Sequence, residues 1–376
     1  MSDKSSITWT NATWNPVTGC TKVSSACKHC YAERDWVRLV HLPTYAGREF
    51  TDVACHPERL AQPLRWSRPR MVFVNSMSDL FHEDIPNAFI DKVFAVMAHC
   101  RHHTFQVLTK RPERMLKYLT TNNRSSYWSF AAKDIEHELK REWESVHGYG
   151  RRRPAHLVFR PDKLVRNHLT DGGDPYRPEY SMGDFPGKTV GNAYIADPLP
   201  NVWLGVSVED QETADERIPL LLRTPAAVRW ISAEPLLAPI ILADVPVGME
   251  GPLRPNAITN LPRLDWVVVG GESGPKARIT HPDWARNLRD ECERAGAPLF
   301  FKQTGVWQAL PPGEAGKKEC RDKETRFQFG TTFVKSKGGG SDLLDGRKIQ
   351  AWPAGSVRPC ENSENPNPGR AAPATL

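Results

Sequence analysis

The chain of 376 residues carries 50 Lys and Arg against 44 Asp and Glu, a formal charge of +6, with 39% hydrophobic residues and 12 tryptophans. This content excludes disorder or a fibre for most of the length and supplies at least one large core, while the small positive charge permits a nucleic-acid partner without demanding one. No apolar run approaches the ~18 residues that span a bilayer and Met1 to Asn11 has no signal-peptide stretch, so the expectation is a soluble, intracellular protein without a membrane partner.

Apolar runs of strand length recur, each followed by a polar cluster and, in most cases, by helical periodicity. Ile7 to Trp14 leads into three cysteines, Cys20, Cys27 and Cys30, and then into Tyr31-Ala-Glu-Arg34, a helix start. Met71 to Val74 leads into Asn75-Ser-Met-Ser-Asp79, and Pro86 opens a helix through Phe89, Val93, Phe94 and Met97, proline being favoured in a first turn. Thr104 to Leu108 leads into Thr109-Lys-Arg-Pro112 and a short helix ending near Leu119.

Residues 121–199 are too long for an ordinary connection and are rich in Arg, Gly, Pro and Tyr, which predicts an inserted subdomain or lid. Within it Arg151, Arg152, Arg153, Arg160, Lys163 and Arg166 face one acid, Asp162, with Tyr127, Trp128, Trp143, Tyr149 and Phe159 nearby. Basic charge interleaved with aromatic rings suits phosphate contact and base stacking, and a solvated charged surface is the competing explanation.

The pattern then resumes. Val202 to Val206 leads into Ser207-Val-Glu-Asp210 and a helix carrying Ile218, Leu221 and Leu222, and Ala227 to Ile231 leads into Ser232-Ala-Glu-Pro235. Asp265 to Val269 leads into Gly270-Gly-Glu-Ser-Gly274, with a helix from about Pro282 closed by Gly296, and Pro298 to Phe301 leads into Lys302-Gln-Thr-Gly305. Residues 311–376 read as a C-terminal extension with a flexible joint at Gly338 to Gly340 and a disordered tail over Glu364 to Leu376.

Alternating buried strands and helices imply an α/β protein with a parallel sheet. Polar clusters that all follow strand C-termini favour a partial (β/α) barrel over residues 1–120 and 200–310, whose site lies on that face. An open doubly wound sheet is the rival, and it would use only the strand ends at its switch point.

Of the eight cysteines, Cys55, Cys100, Cys292, Cys320 and Cys360 are scattered, whereas the first three form C-x6-C-x2-C. Clustered cysteines in an intracellular chain with a large core point to metal or redox chemistry rather than a disulfide framework. Three thiolates of one loop suit three irons of a [4Fe–4S] cluster, leaving the fourth iron open. A structural zinc would have to recruit His29, His41 or Cys55, and a dithiol at Cys27 and Cys30 would leave Cys20 without a role.

A three-cysteine loop after the first strand of such a barrel resembles the radical S-adenosylmethionine (SAM) superfamily, although its commonest spacing is C-x3-C-x2-C. More closely, Trp14-Asn-Pro-Val-Thr-Gly-Cys20, Cys27-Lys-His-Cys-Tyr-Ala32, Asn75 to Asp79, Leu108-Thr-Lys-Arg-Pro112, Ser232-Ala-Glu-Pro-Leu236, Gly270 to Gly274 and Lys302-Gln303 resemble, in order, the motifs of a family of bacteriophages and prophages, mostly of unknown function. The likeness covers about residues 7–120 and 200–306.

The resemblance implies a radical-SAM-type barrel in which Cys20, Cys27 and Cys30 hold a [4Fe–4S] cluster whose open iron takes the amino and carboxylate groups of SAM. Reduction by a donor such as flavodoxin or ferredoxin would release a 5′-deoxyadenosyl radical that abstracts a substrate hydrogen. By position, Ser76, Ser78 and Asp79 are candidates for the methionine amino group, Ser207 and Glu209 for the ribose, and His29 for packing on adenine. Lys110 and Arg111 are candidates for the carboxylate, and Glu234, Glu272, Lys302 and Gln303 are candidate catalytic residues facing substrate. Salt bridging across the barrel mouth would also account for the charged members.

The phage-like resemblance and the basic, aromatic insert together point to a base in DNA, such as a hypermodified pyrimidine, in the cytoplasm of a bacterial host. A free nucleotide, a peptide, a small metabolite or photodamaged DNA are the alternatives within this chemistry. A zinc-stabilised, non-catalytic nucleic-acid-binding protein is the alternative outside it.

Overall fold

A computed structural model describes residues 5, 7–150, 152–153, 198–246, 264–311, 314, 324–336, 340–354 and 356. Seven strands form the main sheet: β1 (Ala12–Trp14), β4 (Met71–Val74), β5 (Thr104–Thr109), β6 (Val202–Ser207), β7 (Val228–Ala233), β8 (Trp266–Gly270) and β9 (Leu299–Gln303). The short β2 (Val17–Thr18) and β3 (Ala54–Cys55) pair antiparallel beside it. The helices are α1 (Tyr31–Leu39), α2 (Asn87–His99), α3 (Pro112–Leu119), α4 (Arg124–His147), α5 (Gln211–Arg223) and α6 (Pro282–Ala295).

Every pairing in the main sheet is parallel and the spatial order β1-β4-β5-β6-β7-β8-β9 follows the chain without reversal. A doubly wound sheet would reverse at a switch point. This order instead winds in one direction, curls into a half-barrel and gathers all seven strand C-termini on one rim.

Side chains alternate between the sheet's two faces. Val72 and Val74, Val267 and Val269, and Leu299 and Phe301 turn outward into the large core shared with the helices. Met71 and Phe73, Trp266 and Val268, and Phe300 turn inward, where Trp9, Trp203 and Trp230 join them to plug the base of the half-barrel. The indoles pack edge to face or tilted, Trp9 on Trp230 at 5.4 Å and Trp230 on Trp266 at 5.3 Å. Gly205 faces this plug, and a Cβ there would lie 2.5 Å from the Trp230 ring, so glycine is what lets the indole lie against the strand.

The segment expected to open an insert at residue 121 begins as α4, which belongs to the barrel's outer core. Trp128, Ala131, Ala132 and Ile135, spaced i, i+3, i+4 and i+7, are buried there. Trp128 therefore is not a base-stacking ring: it stacks on Phe94 of α2 at 4.9 Å. Tyr127 and Tyr149 are exposed, and Trp143 stacks on His147.

Beyond β9, β10 (Trp307–Ala309), β11 (Thr325–Gln328) and β12 (Thr331–Lys335) form an antiparallel sheet, followed by a hairpin of β13 (Leu343–Leu344) and β14 (Arg347–Lys348). The chain then returns to the barrel: Gln350 bridges Phe300, the Trp266 indole donates to Ala351 O at 2.8 Å, and Trp352 packs on Phe300. Residues 357–376, with the expected tail, lie outside the described residues, as do Gly338, Gly339, Cys320 and Cys360. No helix among the described residues is long and apolar enough to cross a membrane.

Under the base of β5, His103 is 1% exposed and its Nε2 lies 3.2 Å from Pro63 O, while Nδ1 has no hydrogen-bond partner. Burial, then the neighbouring His102, lowers its pKa from 6.5 to about 4. The unfolded chain therefore takes up a proton first as pH falls, and stability drops between pH 6.5 and 4 by about 1.4 kcal/mol per pH unit from this residue before levelling. Urea midpoints at pH 7.5 and 5 should fall less in His103→Gln than in the wild type; equal falls would refute the assignment.

Candidate functional site

The alternation that fills the base with tryptophan places polar groups on the same inner face two or four residues later. Asn75, Lys110, Ser207, Ser232, Glu234 and Lys302 line a cavity of about 560 Å³ at the strand C-termini, within the ~300–1,000 Å³ of small-molecule sites. Cys20, Cys27 and Cys30 line the same cavity, half-buried. Cys55, Cys100 and Cys292 lie elsewhere, the last two buried.

Local conformation sets the cysteine loop. Gly19 has φ +91°, and a Cβ there would lie 2.3 Å from Asp52 O, so only glycine passes. The Gly19 N–H donates to Met77 O in the loop after β4 at 3.1 Å and that of Cys20 to Phe50 O, between α1 and β3, at 2.8 Å, which fastens the first cysteine from both sides. Ser25–His29 form a 3₁₀ turn that carries Cys27, and Cys30 stands at the N-terminus of α1. Burial, then the Asp79 carboxylate, raises the Cys20 thiol to about 11 against the opposing pull of Arg111. As they stand, no three His, Cys, Asp or Glu side chains among the described residues are arranged to hold a single metal ion.

Side chains from four strand ends tie this loop down. Arg111 Nη2 donates to Thr21 Oγ1 at 2.8 Å, and Thr21 Oγ1 also meets His82 Nε2 at 2.8 Å. The Ala26 N–H donates to Glu209 Oε1 at 3.4 Å, while Arg217 holds Glu209 Oε2 at 3.1 Å in a pair both of whose side chains are almost wholly buried. Arg278 donates through Nη1 to Ser25 O at 2.9 Å and through Nη2 to Glu272 Oε1 at 2.5 Å; His29 Nδ1 sits 3.3 Å from Glu272 Oε2. Burial would raise Glu272, but hydrogen bonds from Arg278 and His29 outweigh it and hold the carboxylate below its ordinary range.

These contacts redistribute the expected roles. Ser76 and Ser78 line the cavity, their hydroxyls donating to Asn15 Oδ1 at 3.2 Å and Val17 O at 3.0 Å. Asp79 also lines it, yet its carboxylate accepts from Phe81 N, Lys110 N, Thr109 Oγ1 and Arg111 Nη1 and so latches β5 to the loop after β4. Glu234 and Lys302 form an ion pair of 2.5 Å across the mouth. Glu209 and Gln303 do not line the cavity; Lys302 points in, and the next residue on a strand points away.

Lys110 is half-buried at the cavity wall, and among the described residues its ammonium has no hydrogen-bond or ion-pair partner, which leaves it able to receive an anionic group. Arg151, Arg160, Lys163 and Arg166 lie outside the described residues. Arg152 is exposed, and Arg153 pairs with Glu136 of α4. Sequence reasoning missed Arg278, His82 and Arg217, whose partners are set by the tertiary fold and carry no local motif.

A family profile described as a protein of unknown function, DUF5131, matches residues 4–353, and the chain belongs to that family. No curated protein and no solved structure matches it.

Proposed function

We propose that this DUF5131 protein is a radical SAM enzyme that holds a [4Fe–4S] cluster on Cys20, Cys27 and Cys30, binds SAM in the rim cavity and modifies or rearranges a base in DNA. The observation that carries the reading is the convergence of three thiols from one loop on a polar cavity at the C-terminal rim of an open parallel half-barrel. When bound, the cluster and SAM supply a one-electron reduction and a carbon-centred radical able to take hydrogen from an unactivated C–H bond.

The chain's own residues do the rest. The acid-backed arginines fix the cysteine loop, so the three thiols are held before any group arrives. Lys110 offers a cation to a carboxylate, and Ser207 and Ser232 present hydroxyls on the same inner face. Glu234 and Lys302 neutralise each other at the mouth, where a substrate polar group can exchange with either partner. The tryptophan plug closes the base and keeps water from that side. A DNA substrate is supported by the basic residues between Arg151 and Arg166.

Anaerobic reconstitution with iron and sulfide should give about four irons per chain, and reduction in the presence of SAM should release 5′-deoxyadenosine. One tightly held zinc with no SAM cleavage would overturn the reading. Duplex DNA binding should weaken steeply with salt and with joint neutralisation of Arg151, Arg152 and Arg153; salt-insensitive binding, or none, would move the substrate to a small molecule.

A further inference from the structure

We infer that Arg111 is a positioning residue for the cluster at Cys20, and that its guanidinium eases the uptake of an electron there; this rests on the reading above. The Arg111 side chain is 5% exposed and spends its donors on several partners at once. Nη1 lies 3.7 Å from Cys20 Sγ and 3.3 Å from Asp79 Oδ2. Nε is 3.0 Å from both Glu83 carboxylate oxygens, and Nη2 reaches Thr21 Oγ1. Among the described residues, no other charged side chain hydrogen-bonds a thiol of the triplet; Cys27 meets only the Ser24 hydroxyl, at 4.0 Å.

One-electron reduction adds one negative charge to a cluster and no atoms. An N–H···S bond draws charge from the ligating sulfur, and a neighbouring cation stabilises the added charge, so both raise the reduction potential. Asp79 and Glu83 orient the guanidinium on the sulfur at the cavity wall. Without Arg111 the Asp79 carboxylate would face Cys20 unopposed, which pushes the potential down again. A lysine retains the charge, but one ammonium cannot serve Glu83, Asp79, Cys20 and Thr21 together.

The test is an anaerobic redox titration of the reconstituted chain with dithionite as the one-electron source, read by electron paramagnetic resonance alongside iron content. Arg111→Met should take up an electron at a more negative potential than the wild type, and Arg111→Lys partway between them. Thr21→Val, which removes the Oγ1 contact and keeps the N–H···S bond, should titrate as the wild type. The inference is overturned if iron-loaded Arg111→Met or Arg111→Lys titrates at the wild-type potential, or if Thr21→Val shifts as far as Arg111→Met, because bracing of the loop would then explain the effect. If Arg111→Met takes up no iron, Arg111→Lys alone decides. A wild-type chain that binds zinc and no iron overturns the functional reading, and this inference with it.

Discussion

Replacement of Cys20, Cys27 or Cys30 by alanine should abolish iron loading and SAM cleavage, whereas Cys55→Ala and Cys292→Ala should load as the wild type. Each iron of a cubane needs one terminal ligand, and the three thiols that share the cavity leave no spare among the described cysteines. Cys55 pairs in the small antiparallel ribbon, and Cys292 is buried on α6, where desolvation raises its thiol to about 12. Because Cys20 is anchored through its backbone N–H to Phe50 O, side-chain truncation should leave the fold intact, and an unchanged circular dichroism spectrum would establish that loss of iron is local. Wild-type iron content in any one of the three alanine variants would remove that thiol from the site.

The second large effect lies away from the cavity, where α4 joins the barrel. Arg124 Nη1 donates to Asp91 Oδ1 at 2.9 Å, Tyr118 Oη donates to the same oxygen at 2.7 Å, and the Trp128 indole donates to Tyr118 Oη at 2.9 Å. The two charged side chains are 4% and 9% exposed. Removing one partner of a buried pair strands the other charge at a cost of about 3–5 kcal/mol, while replacing both with apolar groups of like volume is often neutral. Asp91→Ala should therefore lower stability by about that amount, and Asp91→Leu with Arg124→Met together by much less. Denaturant midpoints with unchanged m-values decide it: a loss below ~1 kcal/mol for Asp91→Ala would show that α4 is held by its apolar face alone.

The strands were legible because each is buried on both faces, which writes an uninterrupted apolar run such as Val267-Val-Val269 or Leu299-Phe-Phe301 into the chain. The three cysteines were legible because ligands on one loop keep a short spacing. The packing of α4 is harder to read, because a basic and aromatic composition over the long connection overlies the i, i+3, i+4, i+7 spacing of Trp128, Ala131, Ala132 and Ile135. Glu272 lines the cavity, but its partners are not announced by the sequence around it: no motif marks Arg278, and His29 is 243 residues away.

Taken by itself, the amino-acid sequence determined the strand–helix alternation, the parallel sheet that follows from it and the loop bearing the three thiols, because periodicity and spacing act over a few residues. Tertiary structure alone decided which charges remain available. Ala26 meets Glu209 across 183 residues and Arg278 meets Ser25 across 253, so whether a carboxylate faces a ligand or braces a loop depends on which strand ends the half-barrel brings together. That choice is fixed by the register and the alternating faces of the sheet. It leaves Lys110 unpartnered among the described residues at the cavity wall and commits Asp79, Glu209 and Glu272 to holding the cysteine loop and its supports.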